Sequence, residues 1–314
     1  MKIALFRNLT DKEQQLLQSI TDLPYTDFSA QEPSAETVAE YDIVLGWHPI
    51  LVDVLSLSHN IKWIQLFMVG VDNLPFDLLE KSNVIVTTAK GANATTIAQQ
   101  TIGCMISFAR QLHTSRDNQL QSKWFSPTGL TELTGKSVLT VGTGEIGQAL
   151  AKLATAFEMM VDGINRSGHD VPGIQNCYPI TALDERIGHY DYVINNLPYT
   201  PATDKLFGAK QFDLMKQDAI FINMGRGKSV DEQALIHALD TKQINAAALD
   251  VFEVEPLPET SPLWQMENVL IMPHRAGISD FYHSRILDIF AKNYCEFING
   301  GVPSHNRLDY QKGY

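Results

Sequence analysis

An apolar run that breaks into three spaced glycines constrains the fold of this chain more than any other feature. Residues 138–147 read Val-Leu-Thr-Val-Gly-Thr-Gly-Glu-Ile-Gly, and a helical pattern follows at 148–157. Gly142 allows a tight turn, Gly144 lets the backbone approach a pyrophosphate, and Gly147 lets the helix pack close to the strand. The helix N-terminus then offers free N–H groups and a positive dipole end to an anion. A strand before the glycines and a helix after them therefore predict a dinucleotide-binding unit.

Strand-like and helix-like runs alternate along the rest of the chain, which is typical of a parallel sheet with crossover helices. The predicted strands are 2–6, 43–46, 63–66 and 84–87, followed by 137–141, 160–164, 192–195, 219–223, 246–249 and 269–272. The second series fits a six-stranded dinucleotide-binding sheet. Residues 94–121 read as one long helix, and residues 281–299 as the last helix.

A chain of 314 residues is long enough for two domains. We predict an α/β protein in which a Rossmann dinucleotide-binding domain is inserted in a smaller, flavodoxin-like α/β substrate domain. The first part of the substrate domain is predicted at 1–98, and the NAD(P)-binding domain at 99–280. Residues 281–314 are then expected to return to the substrate domain.

Composition argues against several classes of protein. The formal charge of −12, without a basic block, makes nucleic acid or an anionic membrane a poor partner. No apolar run approaches the roughly 20 residues of a membrane span, and the first residues lack the apolar core of a signal peptide. Cys104, Cys177 and Cys295 show no metal-ligand or CxxC spacing. We therefore expect a cytoplasmic protein with reduced cysteines and no metal site.

Three polar sites follow predicted strands, at the edge where open α/β sheets bind ligands. Arg226, between two glycines, follows the strand at 219–223, and its guanidinium can bind a carboxylate through two parallel hydrogen bonds. Asp250 ends the next strand, and Glu255 lies in a segment restricted by prolines. His274 follows the last strand, and a nearby carboxylate would favour its imidazolium and make it a proton donor. Taken alone, each site could be an ordinary surface residue, but together they suit hydride transfer to a ketoacid.

With these motifs in place, the chain resembles the D-isomer-specific 2-hydroxyacid dehydrogenase family over nearly its whole length. Further motifs carry the resemblance: Trp-Ile-Gln at 63–65, Val-Gly-Val-Asp-Asn-Leu-Pro at 69–75, Asn-Leu-Pro-Tyr-Thr-Pro-Ala-Thr at 196–203, and Leu-Asp-Val-Phe-Glu-Val-Glu-Pro-Leu at 249–257. The nearest branch is that of glyoxylate/hydroxypyruvate reductases and phosphoglycerate dehydrogenases. The resemblance implies hydride exchange between NAD(P)H and a 2-ketoacid or D-2-hydroxyacid, in a homodimer built on the cofactor domains.

The resemblance also implies a role for each matching residue. Arg226 would bind and polarise the ketoacid, His274 would be the acid/base, and Glu255 would be the partner of His274. The backbone N–H groups of Val69 and Gly70 would hold the substrate carboxylate. The residues expected at the cofactor are Thr101, Gly142, Thr143, Gly144, Glu145, Ile146, Gly147, Asn165, Arg166, Ser167, Leu197, Pro198, Thr203, Met224, Asp250 (at the nicotinamide carboxamide) and Gly277.

At residue 165 the sequence departs from the pattern of NAD-linked relatives. Those relatives usually have an Asp here, which binds both ribose hydroxyls and repels a 2′-phosphate. Asn165 removes that repulsion, and Arg166 and Ser167 can pair with the phosphate. We therefore predict NADP rather than NAD as the preferred cofactor. The alternative is that Arg166 only covers the adenine face, which it could do for either cofactor.

Two other functions fit parts of the sequence. A dinucleotide-sensing regulatory protein could use the same scaffold, but it would not need Arg226, Glu255 and His274 together. A formate or phosphite dehydrogenase is a second alternative, but the formate type is expected to carry a Gln beside the catalytic histidine, and here Ile-Met-Pro precedes His274. Among ketoacids, glyoxylate or hydroxypyruvate is favoured over a phosphoglycerate-type substrate, because residues 67–69 are apolar and no basic cluster is evident beside them.

Overall fold

A computed structural model describes residues 1–71 and 73–310 of the chain. The chain folds into two compact units, one formed by Met1–Ala92 and the residues from Ser279 onward, the other by Asn93–Ile278. The first boundary lies before the helix that starts at Ala94, whereas the sequence placed it inside that helix, at 98/99. A helix packs as a whole, and this one packs within the second unit, which explains the shift. The second boundary lies at Ser279 rather than at 281.

The first unit is built on a five-stranded parallel sheet. Its strands are β1 Ile3–Leu5, β2 Tyr25–Asp27, β3 Ile43–Leu45, β4 Trp63–Gln65 and β5 Ile85–Thr87, in the order β2-β1-β3-β4-β5. This is the strand order of flavodoxin-like folds. The helices are α1 Asp11–Ile20, α2 Ala35–Ala39, α3 Leu51–Ser56, α4 Phe76–Lys81 and the C-terminal helix Tyr282–Ile298.

Both faces of this sheet are buried, which explains why its central strands are continuous apolar runs. Because side chains alternate along a strand, Ala4 of β1 joins the apolar cluster on one face while Ile3 and Leu5 join the cluster on the other. On the second face, Trp63 of β4 stacks on Phe290 of the C-terminal helix, with ring centroids 5.0 Å apart. The C-terminal helix is therefore part of the core of the first unit.

The second unit contains a seven-stranded parallel sheet. Its strands are β6 Ser137–Val141, β7 Met160–Asn165, β8 Cys177–Pro179, β9 Tyr192–Asn195, β10 Ile220–Asn223, β11 Ala246–Leu249 and β12 Val269–Ile271, in the order β12-β11-β10-β9-β6-β7-β8. Its helices are α5 Ala94–Ala109, α6 Leu112–Leu120, α7 Glu145–Ala156, α8 Leu183–Arg186, α9 Ala209–Leu214 and α10 Glu232–Asp240. This is the Rossmann strand order with one additional strand at the edge, so the predicted fold class is confirmed.

Two features of the sequence-based prediction were wrong. The expected long helix at 94–121 is broken at Gln111, whose left-handed φ of 49° ends the helical path. The two resulting helices differ in burial, since α5 buries an apolar face and α6 buries no residue. The edge strands β2 and β8 were missed, and the second sheet accordingly has seven strands rather than six. Each has only one neighbouring strand and no buried residue, so neither carries an apolar run. Within the described ranges, no helix is both long and apolar enough to cross a membrane.

Candidate active site

The glycine loop joins β6 to α7 and leaves an open approach to the helix N-terminus. Gly142 has a φ of 105°, and an added Cβ would lie 3.0 Å from the backbone carbonyl of Asn196. A Cβ on Gly147 would lie 2.4 Å from the Gly142 oxygen, so α7 packs directly on the loop. A Cβ on Gly144, the N-cap of α7, would meet nothing within 4 Å. Two glycines thus serve the fold, and the third leaves space that fits a pyrophosphate against Glu145 and Ile146 of the first helical turn.

Asn165, at the end of β7, fixes the turn that follows it. Its Nδ2 donates to the Thr143 hydroxyl at 3.2 Å and to the His169 carbonyl at 2.8 Å. Its Oδ1 accepts from the backbone N–H groups of Ser167 at 3.2 Å and Gly168 at 2.7 Å. A carboxylate could not donate to the carbonyl, so in this chain the amide group of Asn165 holds the turn together. This structural reason for an asparagine was not evident from the sequence.

The Gly-Arg-Gly segment after β10 lies between two neighbouring loops. A Cβ on Gly225 would lie 2.6 Å from the carbonyl oxygen of Leu197, in the loop after β9. A Cβ on Gly227 would lie 1.8 Å from the carbonyl oxygen of Phe252, in the loop after β11. Arg226 between them is half-buried, and its Nη1 donates to the Gly225 carbonyl at 2.9 Å. The two glycines therefore let Arg226 sit at the centre of the sheet edge.

Two buried asparagines that sequence analysis did not single out organise this edge. Asn195 ends β9, and its Nδ2 donates to Asn223 Oδ1 at 2.9 Å and to Ser229 Oγ at 2.7 Å. Its Oδ1 accepts from the Leu197 N–H at 3.1 Å. Asn223 ends β10 and donates to the Arg226 carbonyl at 3.3 Å. The signal was present, since both strands are apolar runs that end in asparagine, Tyr-Val-Ile-Asn and Ile-Phe-Ile-Asn.

Asp250, buried at the end of β11, holds the loop that carries His274. One carboxylate oxygen accepts from the Arg275 N–H at 2.9 Å and from Gln100 Nε2 at 3.2 Å, and the other accepts from the Ala276 N–H at 3.0 Å. The Asp250 carbonyl accepts from the His274 N–H at 2.8 Å. Asp250 is thus a positioning residue for the histidine loop. Its contact with a nicotinamide carboxamide stays a prediction.

His274 and Glu255 form a direct pair. His274 Nδ1 lies 2.7 Å from Glu255 Oε2, while Glu255 Oε1 accepts from the Phe252 N–H at 3.0 Å. The His274 side chain is 53% exposed, and the residue has a left-handed φ of 52°. Such a conformation is rare for a residue other than glycine and is often found at functional sites. Because Nδ1 is engaged by the carboxylate, Nε2 is the nitrogen that can meet a substrate.

Other residues expected at the cofactor are already engaged within the second unit. Thr101 is buried inside α5, and its hydroxyl donates to the Ile97 carbonyl at 2.8 Å. The Thr203 hydroxyl donates to the Pro198 carbonyl at 2.8 Å and so shapes its own loop. Met224 is also buried. A Cβ on Gly277 would lie 3.0 Å from Asn93 Nδ2. The cofactor contacts of these residues remain predictions.

Val69 and Gly70 belong to the first unit and follow β4. Both are half-buried, and within residues 1–71 and 73–310 their backbone N–H groups donate to no protein acceptor. The preceding Met68 carbonyl is held by the Ala89 N–H at 3.0 Å. Successive N–H groups without an acceptor suit an anion, which fits the predicted carboxylate site. Asp72 of the same motif lies outside the described residues.

Comparison with known proteins identifies the family. Residues 102–276 match the family described as "D-isomer specific 2-hydroxyacid dehydrogenase, NAD binding domain". The chain belongs to the D-isomer specific 2-hydroxyacid dehydrogenase family. A member from Aeromonas salmonicida with a solved crystal structure is 31% identical, with a TM-score of 0.88 over 98% of this chain and 99% of that one.

Two relatives are similar to this chain over most of its length. Glyoxylate/hydroxypyruvate reductase B of Escherichia fergusonii is 33% identical over 281 residues, which is 87% of each chain. D-3-phosphoglycerate dehydrogenase of Methanocaldococcus jannaschii is 30% identical over 288 residues, 89% of this chain but 54% of that protein. The predicted reaction class is therefore confirmed: the chain is an NAD(P)-dependent oxidoreductase of 2-hydroxyacids and 2-ketoacids. These relatives give no support to a regulatory dinucleotide sensor.

Proposed function

We propose that this 2-hydroxyacid dehydrogenase reduces small 2-ketoacids to D-2-hydroxyacids, with Arg226, Glu255 and His274 as its catalytic residues. The observation that carries the proposal is the 2.7 Å pair between His274 Nδ1 and Glu255 Oε2. It stands on the same sheet edge as the Gly-Arg-Gly segment, which contacts the backbone of Phe252. The imidazole of His274, which is paired with Glu255, and the guanidinium of Arg226 thus belong to adjoining loops.

Each side chain has a distinct task in the proposed reaction. When bound, the reduced nicotinamide supplies the hydride. Arg226 binds the ketoacid and stabilises the negative charge that develops on the carbonyl oxygen. His274 donates the proton to that oxygen from Nε2, while Glu255 keeps Nδ1 protonated and the ring oriented. Val69 and Gly70 bind the substrate carboxylate through their N–H groups.

Substitution of Arg226 and of His274 tests these roles. We expect Arg226→Ala and His274→Ala each to lower kcat/KM by about a hundredfold or more, because each removes transition-state stabilisation or proton transfer. Lys228→Ala and His237→Ala are matched controls, since both residues are exposed in the same unit. Near-normal turnover in either of the first two variants would overturn the assignment.

We further propose NADP as the preferred cofactor. Asn165 carries no charge to repel a 2′-phosphate, and its four hydrogen bonds fix the turn that displays Arg166 and Ser167, both exposed. Arg166→Ala is expected to raise KM for NADPH far more than KM for NADH, because only NADPH has the phosphate. Lys152→Ala removes an exposed charge from α7 as the control. Equal effects of Arg166→Ala on both cofactors would refute the proposal.

The preferred ketoacid is found by a direct assay. Oxidation of NADPH and of NADH is followed with glyoxylate, hydroxypyruvate, pyruvate and bulkier branched 2-ketoacids. The named reductase relative supports glyoxylate or hydroxypyruvate as the best of these. Turnover with NADH alone would reject the cofactor proposal and keep the reaction. No turnover with any ketoacid, despite cofactor binding, would reject the proposed reduction.

We also propose a homodimer in which a second copy of the chain covers α6 and the segment that follows it, as far as residue 130. This part of the chain exposes a group of large apolar side chains that a water-exposed surface rarely carries together: Leu112, Leu120, Trp124, Phe125 and Leu130. Sedimentation velocity should show a dimer for the native chain and a monomer for Trp124→Ser combined with Phe125→Ser. A native monomer would reject the proposal.

For localisation we propose the cytoplasm. The three cysteines are free, as expected in a reducing compartment. Burial, aided by the charge of Asp250, raises the pKa of the Cys104 thiol to about 12 and keeps it unreactive. Fractionation of cells that express the chain would test this, and recovery outside the cytoplasm would reject it.

A further inference from the structure

The first unit contains a cavity of about 490 Å³ that none of the proposed roles uses. It lies at the carboxyl ends of β1, β2 and β3, and its lining is Phe6, Arg7, Asn8, residues 28–32 and His48. The strand order reverses between β1 and β3. Open α/β sheets bind ligands in the crevice at such a switch point. The topology therefore marks this cavity as a ligand site.

Arg7 supplies a positive charge to this cavity. Its Nε is buried and has no hydrogen-bond partner. Its stem packs closely on Gly46, where an added Cβ would lie 3.3 Å from Arg7 Cγ. A buried N–H without an acceptor costs free energy, which an anionic ligand would recover. Arg7 is thus prepared for an acceptor that the described part of the chain does not provide.

His48 supplies a second donor to the same cavity. Its ring stacks on Phe6, with centroids 5.1 Å apart and an interplanar angle of 17°. Its Nδ1 accepts from the Ile50 N–H at 3.2 Å, so in the neutral ring the proton resides on Nε2. Glu32 is the carboxylate of the lining, but it is exposed and water screens it. The lining therefore favours an anion.

One of the strand ends that line the cavity, that of β3, is next to the end of β4, which leads to the proposed carboxylate segment. Strand β3 lies between β1 and β4, and β4 leads into Val69 and Gly70. Arg7 follows β1 and His48 follows β3, so these two residues and the proposed carboxylate segment lie at successive strand ends of one sheet edge.

We propose that Arg7 and His48 bind a second anionic group, a carboxylate or a phosphate, at the far end of the 2-ketoacid. This inference rests on the proposed function and names its substrate class: ketoacids that carry an anion at both ends. The sequence showed no basic cluster beside residues 67–69, and Arg7 and His48 come from other strand ends. Arg7 was missed because its neighbours in the cavity come from three separate strand ends.

Matched substrate pairs test the proposal. The carboxylate arm compares 2-oxoglutarate with 2-oxopentanoate and oxaloacetate with 2-oxobutanoate, and the phosphate arm compares 3-phosphohydroxypyruvate with hydroxypyruvate. The expected result is a kcat/KM about tenfold or more higher for the charged member in one arm, which identifies the group. Arg7→Met should bring that ratio close to one, mainly through KM, and Arg7→Lys should keep part of it. Lys12→Met removes an exposed charge from the same unit and should leave the ratio intact.

Every outcome is decisive. Ratios near one in both arms of the native enzyme, or a ratio that survives Arg7→Met, overturn the inference, while glyoxylate turnover in the same assay still supports the proposed function. If Arg7→Met does not fold, His48→Phe replaces it, because Phe keeps the stacking and lacks the N–H. If no ketoacid is reduced, the proposed function fails, and calorimetry with glutarate against pentanoate decides the subsite. Selective binding of glutarate that is lost in the variant supports it, and equal or absent binding rejects it.

Discussion

Gly227 and Phe252 are in direct backbone contact, since a Cβ added to Gly227 would lie 1.8 Å from the Phe252 carbonyl oxygen. The Phe252 N–H in turn donates to Glu255 Oε1 at 3.0 Å. The contact therefore links the segment that carries Arg226 to the segment that supports His274. The position of the guanidinium and that of the carboxylate depend on one another through rigid backbone.

Gly227→Ala should disrupt both catalytic groups at once. A methyl group cannot fit without moving a loop, so we expect the free energy of unfolding to fall by about 1–3 kcal/mol and kcat/KM to fall at least about tenfold. Urea denaturation and steady-state kinetics measure the two effects. Gly103→Ala is the control, because a Cβ there meets nothing within 4 Å and lies within α5. It should stabilise the helix by about 0.5–1 kcal/mol. Unaltered kinetics in Gly227→Ala would show that the loops move independently.

Gly144→Ala separates cofactor binding from folding. Gly144 has a φ of −70°, and a Cβ there meets no protein atom within 4 Å, so the melting temperature should stay close to native. The methyl group would occupy the space in which the pyrophosphate approaches the backbone. We expect the Kd of the cofactor, measured by fluorescence titration, to rise at least about tenfold. An unchanged Kd would mean that the phosphates do not approach this residue.

Sequence alone could predict the central strands, because a parallel strand buried on both faces reads as an apolar run. β6 and β9 are of this kind, with every residue buried. β2 is not, since it reads Tyr-Thr-Asp and buries no residue. Its strand conformation depends on pairing with β1, from which the helix α1 separates it in the chain. Such edge strands are set by tertiary contacts rather than by local pattern.

The residues of the candidate site also divide into those that the sequence predicts and those that it does not. His274 and Arg226 could be found because each follows an apolar strand, and the edge of a parallel sheet brings strand ends together. The role of Asn165 in its own turn could not be found, because it depends on the positions of the His169 carbonyl and the Thr143 hydroxyl. Arg7 was missed for the same reason. The sequence pattern predicts which residues lie at the edge of the sheet, whereas tertiary packing determines which of their polar groups lack a hydrogen-bond partner.

Glu255→Gln tests the electrostatic support of the histidine. Gln keeps the shape of the side chain but replaces the charged carboxylate that lies 2.7 Å from His274 Nδ1 with a neutral amide. We expect kcat/KM for the ketoacid to fall about tenfold or more, with little change in the Kd of the cofactor. Glu253→Gln is the matched control, because its carboxylate forms a surface pair with Lys205 at 3.6 Å. A similar effect of both substitutions would contradict the specific role of Glu255.

Asn165→Asp should change the turn as well as the cofactor preference. The new carboxylate oxygen would face the His169 carbonyl at the place of a 2.8 Å hydrogen bond, and the donor to Thr143 would be lost. We expect the free energy of unfolding to fall by about 1–3 kcal/mol. The ratio of kcat/KM for NADPH over NADH should fall as well, since the charge repels a 2′-phosphate. A stable variant with an unchanged ratio would contradict both arguments.

Asp191 makes the stability of the second unit depend on pH. Its carboxylate accepts from the Ser137 N–H at 2.8 Å and hydroxyl at 2.9 Å, and it pairs with Lys216 Nζ at 3.0 Å. Burial alone would raise the pKa of Asp191, but these bonds outweigh burial and hold the pKa below its usual range. A carboxyl group with a lowered pKa in the folded state stabilises the protein above its unfolded pKa of about 4. That stabilisation is lost as the pH falls through the folded pKa.

Asp191→Asn should therefore lower the free energy of unfolding at neutral pH by about 1–3 kcal/mol. The deficit should shrink as the pH falls below about 4, where the carboxyl of the unfolded chain binds a proton first, and it should be smallest once the pH is below the lowered pKa of the native carboxyl, which then loses its ion pair with Lys216. Urea denaturation over a series of decreasing pH values measures the deficit. Asp213→Asn is the control, since Asp213 is exposed in the same unit and should show little effect at any pH. A deficit of constant size across the series would mean that Asp191 acts through shape and hydrogen bonding, and that its charge adds nothing to the stability of the sheet.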